Sequence, residues 1–165
     1  MSLISFFKDA GEKLFGKKVQ DVQAAPAKAD PAVLAEANRE AGGAIENYIS
    51  TLGLTVTALT VTFDGATGIA KVYGVAKDQE TKEKVILAAG NVHSVAGVED
   101  NMTVDHSQPA SKFYTVVKGD TLSKIAKEFY GNASEYPRIF EANKPMLTHP
   151  DKIYPGQNLR IPPKA

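Results

Sequence analysis

The side chains that most often carry chemistry are few in this sequence and lie far apart. The three histidines, His93, His106 and His149, fall in segments of loop composition and share no metal-ligand spacing. We therefore expect each of them to lie on the surface. Glu99 and Asp100 are adjacent in a strand-like segment, which favours a solvated strand edge over a general acid and base.

The remaining sequence carries no catalytic spacing. It contains no nucleophile elbow, no glycine-rich phosphate loop, no HExxH motif and no EF-hand pattern. Asp64-Gly65 fits the geometry of a hairpin turn better than catalysis. Because the chain has no cysteine, it can form no disulfide, thiolate–zinc site or thiol nucleophile. We predict that the protein is not an enzyme.

The length and net charge of the chain limit the kinds of molecule that it is expected to bind. The 165 residues suit one or two small domains, and the formal net charge of zero argues against a protein that binds nucleic acid by neutralising phosphates. No stretch approaches the length of a membrane span. The apolar run Leu3 to Phe7 is too short for a signal peptide and is followed by Lys8 and Asp9. We therefore expect a cytoplasmic protein.

For the first 29 residues we predict a helix followed by a linker. Residues 1–16 predict an amphipathic helix that is interrupted by Gly11, and residues 17–29 have the Ala/Pro/Lys composition of a flexible linker. The polar face of the helix is mixed in sign, so we expect the helix to dock on the protein's own body rather than on a membrane. Its apolar face is formed by Leu3, Phe6, Phe7, Ala10 and Leu14.

Residues 30–105 predict the order helix, strand, strand, helix, strand. Asp30 is placed to cap a helix that reaches about residue 52, with a weak point at Gly42-Gly43. Two alternating strands follow, joined by the turn at residues 64–68. A second helix begins near Gln79 and ends at Gly90-Asn91, and the last strand lies around residues 98–104.

Residues 113–165 predict a second small domain after a polar linker at residues 106–112. The order is strand, helix, helix, strand, with Asp120 placed to cap the first helix and Gly131-Asn132 ending it. This domain resembles a LysM domain, on the motifs Lys118-Gly119-Asp120-Thr121-Leu122, Phe129-Tyr130-Gly131, Ile139-Phe140-Glu141-Ala142-Asn143 and Ile153-Tyr154-Pro155-Gly156-Gln157.

The LysM resemblance implies a βααβ fold and a groove for N-acetylglucosamine glycans such as peptidoglycan or chitin. In that family the groove lies between the first strand–helix loop and the second helix–strand loop. The matching positions in this chain are Gly119, Asp120, Thr121, Leu122, Ile153 and Tyr154.

The preceding domain resembles a BON domain, a non-catalytic αββαβ module. The motifs are Val61-Thr62-Phe63-Asp64-Gly65, Val72-Tyr73-Gly74 and the run from Ala88 to Val98. The combination as a whole resembles a family of bacterial cytoplasmic potassium-binding proteins in which a BON domain precedes a LysM domain. We thus predict an α+β protein of two small domains, BON (αββαβ) and LysM (βααβ), with the N-terminal helix docked on the BON domain.

The resemblance to that family also implies where potassium would bind. Potassium favours a cage of neutral oxygens, and the carbonyls at helix ends lack intrahelical partners. The resemblance directs attention to the helix break at Ala10-Gly11 and to the helix end at Gly90. Carried onto matching positions, it implies main-chain oxygen ligands from Phe7, Ala10, Glu12, Gly90, Val92 and Val95.

Two other functions stay open at this point. The LysM domain could bind a glycan in the cell envelope, or both domains could serve only as a scaffold for a protein partner. For the potassium hypothesis we expect K+ as the ligand, with Rb+ or Cs+ able to replace it, and a monomer that becomes ordered or compact on binding.

Overall fold

The computed structural model describes residues 31–164, which form an N-terminal unit followed by a C-terminal unit. The N-terminal unit contains α1 (Pro31–Thr51), β1 (Val56–Asp64), β2 (Ile69–Asp78), α2 (Gln79–Gly90) and β3 (Gly97–His106). Its order is helix, strand, strand, helix, strand, as predicted. The predicted Asp30 cap, the helix at residues 1–16 and the linker at residues 17–29 lie outside the described residues.

The sheet of the N-terminal unit has the strand order β1-β2-β3. β1 and β2 pair antiparallel across the short turn, whereas β2 and β3 pair parallel because α2 connects them as a crossover. Val61 lies opposite Val72 and Phe63 opposite Ala70, so these four side chains share one face. All four are buried beneath α1 and α2, which form the other half of this core.

The helix α1 is continuous through Gly42-Gly43, where the sequence indicated a weak point. Gly42 is buried against β1, and a Cβ atom there would lie 2.3 Å from the carbonyl oxygen of Val61. Gly43 has open space instead, with no atom within 4 Å of an added Cβ. Gly42 thus permits the close approach of helix and sheet, which offsets its low helix propensity.

The C-terminal unit contains β4 (Lys112–Thr115), α3 (Leu122–Tyr130), a short 3₁₀ helix (Ala133–Glu135), α4 (Tyr136–Ala142) and β5 (Asn158–Ile161). β4 and β5 pair antiparallel, and the two α-helices cover them. This confirms the predicted order of strand, helix, helix and strand, and the α+β class. Its core is formed by Val116, Leu122, Ile125, Ala126, Tyr130, Ile139, Leu147, Leu159 and Ile161.

The prediction that Asp120 caps the first helix of this unit was wrong. Thr121 is the N-cap residue, and its hydroxyl accepts a hydrogen bond from the amide of Lys124 at 3.2 Å. The Asp120 carboxylate instead closes the preceding turn, accepting from the Val117 amide and the Tyr114 hydroxyl, each at 2.9 Å. Both Asp and Thr can cap a helix, and here Asp120 is engaged in the turn, so Thr121 caps the helix.

The two units share part of one core. Met146, from the loop between α4 and β5, is buried within the apolar cluster of the N-terminal unit. Tyr154, from the same loop, is partly buried against that cluster. The loop therefore anchors the C-terminal unit on the N-terminal one.

Candidate functional site

The turn that follows α2 carries three of the main-chain oxygens that the family resemblance implies as potassium ligands, those of Gly90, Val92 and Val95. Gly90 is the last residue of α2, and Asn91 ends the helix by donating its amide to main-chain oxygens of the last turn. The Val95 amide donates to the Val92 oxygen at 3.1 Å, and Ser94 between them has a φ of 79°. A positive φ at the third position is typical of a type II turn.

The carbonyls of this turn differ in their hydrogen bonding. The Val92 oxygen accepts from Val95, whereas the oxygens of Gly90 and Val95 accept no hydrogen bond from residues 31–164. Free carbonyls at the C-terminal end of a helix carry partial negative charge. The turn thus presents neutral oxygens of the kind that bind a large monovalent cation. Phe7, Ala10 and Glu12, the other predicted ligands, lie outside the described residues.

The base of the turn is held in place by the β1–β2 hairpin. The Gly68 oxygen accepts the amides of Ala96 at 2.7 Å and Gly97 at 3.4 Å. A Cβ atom on Gly68 would lie only 3.0 Å from the Cβ of Ala96, and its φ is 71°. The positions of the carbonyls therefore depend on a close contact that only glycine permits.

The turn lies on a groove between the two units. A cavity of about 480 Å³ is bounded on one side by α2, the turn and the start of β3, and on the other by β4 and the end of the α4–β5 loop. The lining residues that the structure describes include no charged side chain; they are Ile86, Leu87, Gly90, Val95, Ala96, Gly97, Val98, Phe113, Thr115, Gly156 and Asn158.

Asn91 connects this turn to the C-terminal unit. Its side-chain amide donates to the Asn158 oxygen at 3.0 Å, and its side-chain oxygen accepts the Asn158 amide at 2.9 Å. A single side chain thus pairs with β5 as a neighbouring strand would. Because Asn91 lies between Gly90 and Val92, the turn and β5 cannot move independently without breaking both bonds.

A buried ion pair forms the second link between the units. The Arg160 guanidinium of β5 donates to the Glu83 carboxylate of α2, and both side chains are less than one-tenth exposed. Glu83 also accepts from the Ser111 amide at 2.8 Å and the Gln79 side chain at 2.9 Å. Burial raises the pKa of Glu83, but the hydrogen bonds from Gln79, Ser111 and Arg160 outweigh it and hold the pKa below its usual value.

Asn143 positions the strand that carries Arg160. Its side-chain nitrogen donates to the Ile139 and Arg160 oxygens at 2.6 and 2.8 Å, and its side-chain oxygen accepts the Arg160 amide at 2.7 Å. This asparagine is 1 % exposed, so its polar atoms depend on these bonds. The α4 end and β5 are therefore joined rigidly at the point where the ion pair forms.

The six residues that the LysM resemblance implies for glycan binding have different environments. Gly119 and Thr121 are exposed in the first loop, whereas the side chain of Leu122 is buried in the core of the C-terminal unit. Asp120 is bound within its own turn. Ile153 packs on the C-terminal core, and Tyr154 faces the N-terminal unit, where burial raises its pKa to about 12.

The histidines and the adjacent pair Glu99 and Asp100, which the sequence offered as candidates for chemistry, lie at the surface. All three histidines are exposed, which confirms their predicted surface positions. Glu99 pairs with Lys71 and Asp100 with Lys82, each at 3.0 Å, on the exposed strand β3. Within residues 31–164 no group of three or more His, Cys, Asp or Glu side chains could hold a metal ion. No helix in the same range is long and apolar enough to cross a membrane.

Sequence reasoning missed the two links between the units. For the ion pair, helical spacing places Glu83 one turn before the buried Leu87, but Arg160 lies between Leu159 and Ile161, so strand alternation directs it away from the C-terminal core. Only the assembled structure shows that the N-terminal unit covers that second face. The pairing of Asn91 with Asn158 had no such signal, since both residues fit ordinary turn and strand-end positions.

The fold and these contacts define a two-unit α+β binding module whose C-terminal unit is a LysM domain, and the LysM family model matches residues 114–162. The chain is 43 % identical to the potassium binding protein Kbp of Escherichia coli O6:H1, over 98 % of this chain and 99 % of that protein. The chain belongs to the Kbp family.

Two further relatives are longer proteins, and the match to this chain covers only a small part of each. An esterase of Mycobacterium tuberculosis is 33 % identical over 85 % of this chain, and the match covers 27 % of the esterase. An uncharacterized protein of Deinococcus radiodurans is 53 % identical over 49 residues, which are 30 % of this chain and 19 % of that protein.

Proposed function

We propose that the protein is a cytoplasmic potassium sensor that binds K+ through main-chain carbonyl oxygens and becomes more compact on binding. The observation that carries this proposal is the turn after α2, where the oxygens of Gly90 and Val95 accept no hydrogen bond from residues 31–164. Membership in the Kbp family gives the ligand its identity, since the relative of matching length is named for potassium binding.

The oxygen set selects the type of cation. Calcium and magnesium favour carboxylate ligands, and magnesium gives up its water reluctantly. A turn that offers neutral carbonyls suits a larger, weakly hydrated ion, so Rb+ or Cs+ should replace K+. In the proposed site Gly90, Val92 and Val95 supply oxygens from the turn, and Phe7, Ala10 and Glu12 supply oxygens from the N-terminal segment.

Binding would act through the connections of the turn. A shared ion would hold residues 1–16 against the turn after α2. It would also relieve the electrostatic repulsion between the carbonyl oxygens of the two segments. Because Asn91 joins the turn to β5, the same event favours the docked arrangement of the two units. A ligand that binds only the folded state stabilises it by about 2.7 kcal/mol at one hundred times its Kd.

Substitutions in the N-terminal segment test this site. Gly11→Val and deletion of residues 2–14 should abolish potassium binding measured by isothermal titration calorimetry. The matched control is Gly16→Val, the same substitution beyond the predicted ligands, which should leave the affinity unchanged. Unaltered potassium affinity in the deletion variant would overturn the proposed ligand set.

A second candidate function is glycan binding by the LysM domain, favoured by the family match at residues 114–162. Exposed Gly119 and Thr121 would supply one side of its groove. Retention of the protein on insoluble peptidoglycan, competed by soluble N-acetylglucosamine oligomers, would support it. Potassium-independent retention with no calorimetric response to potassium would favour this function over the sensor.

A further inference from the structure

The groove between the two units presents an exposed apolar side chain from the C-terminal unit. Phe113, in β4, is 48 % exposed and lines the cavity together with Val98 and Ile86 of the N-terminal unit. The other large apolar side chains that are exposed among residues 31–164, Val33, Tyr73 and Val117, do not line it. Phe113 is therefore a large apolar ring that stays uncovered in a groove shared by the two units.

The strand register shows that Phe113 faces the N-terminal unit. Phe113 lies directly opposite Arg160 in the β4–β5 ladder, so the two side chains project from the same face of this sheet. Arg160 reaches the N-terminal unit through the buried pair with Glu83. On this face of the sheet, Arg160 is buried in the interface between the units, and Phe113 beside it projects into the open groove.

We propose that residues 1–16 dock in this groove, so that Phe113 of the LysM domain forms one wall of their binding site. The apolar face of that segment, with Leu3, Phe6 and Phe7, would cover the Phe113 ring, and the lining residues among positions 31–164 include no charged side chain that this face would have to desolvate. A helix of this length is marginal in water without a partner, so it requires such a surface.

The chain is long enough to reach the groove. Fourteen residues, at positions 17–30, separate the segment from the described part of the protein. Fully extended, they span up to about 46 Å, which exceeds the diameter of about 30 Å of a small domain. The groove can therefore be filled by the protein's own N-terminus without displacing α1.

The proposal rests on the potassium function and extends it. Gly90 and Val95 border the same groove, so a segment seated there brings its own carbonyls next to theirs. Potassium affinity then depends on Phe113, a residue of the other unit that supplies no ligand. The LysM domain thereby becomes part of the ion site through packing.

The direct test is Phe113→Ser in the full-length protein, with potassium affinity measured by calorimetry. About half of the ring remains to be covered, so its loss should weaken binding by about fivefold to tenfold. The matched control is Val117→Ser, which removes an apolar side chain of similar exposure, 57 %, outside the groove. Equal effects of the two substitutions, or none from Phe113→Ser, would overturn the proposal.

A cross-linking experiment separates this proposal from the potassium function. The chain has no cysteine, so the pair Phe6→Cys and Phe113→Cys can be introduced without competing thiols. We expect a disulfide to form under mild oxidation in the pair, and not in the control pair of Phe6→Cys with Val117→Cys. Equal cross-linking in both pairs refutes the docking, whereas absence of any potassium response in the parent protein refutes the function instead.

Discussion

Removal of the Glu83 carboxylate should be among the most damaging single changes in the interface. Glu83→Ala leaves Arg160 buried without its main counter-charge and leaves the Ser111 amide without its acceptor. Breaking a buried pair in this way costs about 3–5 kcal/mol. Glu80 lies 3.8 Å from the same guanidinium and is half exposed, so it compensates in part and the cost should be near 3 kcal/mol.

The assay is equilibrium unfolding in urea, followed by circular dichroism and by tyrosine fluorescence. The matched control is Glu80→Ala on the same helix, which removes a half-exposed carboxylate that pairs with Lys84 and lies 3.8 Å from Arg160, and it should cost less than about 1 kcal/mol. The double variant Glu83→Ala with Arg160→Met removes both charges, so it should be more stable than Glu83→Ala alone. A cost below about 1 kcal/mol for Glu83→Ala, or a double variant less stable than the single one, would refute the reasoning.

Three further predictions concern the interface and the core. At pH values below about 4.5 the free energy of unfolding should decrease, because the pKa of Glu83 is lower in the folded state than in the unfolded state. The contribution of Glu83 to stability is complete above the unfolded pKa and is lost as the pH falls through the folded pKa. Glu83→Gln should therefore flatten this part of the pH profile of urea unfolding. Gly42→Ala should destabilise the protein by about 1–3 kcal/mol in thermal unfolding because its methyl group overlaps β1, whereas Gly43→Ala should stabilise it by about 0.5–1 kcal/mol. Asn91→Asp should cost about 1–3 kcal/mol because it directs a carboxylate oxygen at a main-chain oxygen of β5, with Asn101→Asp on the exposed face of β3 as its control.

Each of these has an outcome that would contradict it. A Glu83→Gln profile parallel to that of the parent protein would mean that another carboxylate dominates the acid limb. Equal melting temperatures for Gly42→Ala and Gly43→Ala would show that the helix can shift away from the sheet. Equal stability of Asn91→Asp and Asn101→Asp would show that the hydrogen bonds between Asn91 and Asn158 do not stabilise the contact between the units.

The fold could be predicted from local patterns because each element carries its own signal. Strand alternation around Val61, helical spacing from Leu122 to Phe129 and the turn at Gly131 were enough to establish both element orders. The exchange of roles between Asp120 and Thr121 could not be foreseen, since both residue types cap helices and only the turn geometry chooses between them.

The docking of the two units depended on contacts between distant positions, which no local pattern encodes. Met146 lies in the loop between α4 and β5, and its burial in the other unit's core follows only from the assembled structure. The same holds for Asn91 and Asn158, which are separated by 67 positions. The turn at Gly90 was identified through resemblance, because main-chain ligands leave almost no trace in side chains.

The most direct test of the potassium proposal is thermal unfolding of the full-length protein in potassium-free buffer, followed by titration with different chlorides at constant ionic strength. We predict a saturable rise in Tm with potassium and rubidium, of about 5–10 °C at one hundred times Kd, and no comparable rise with sodium or magnesium. An equal response to all four salts, or no response to any, would contradict a carbonyl site selective for potassium.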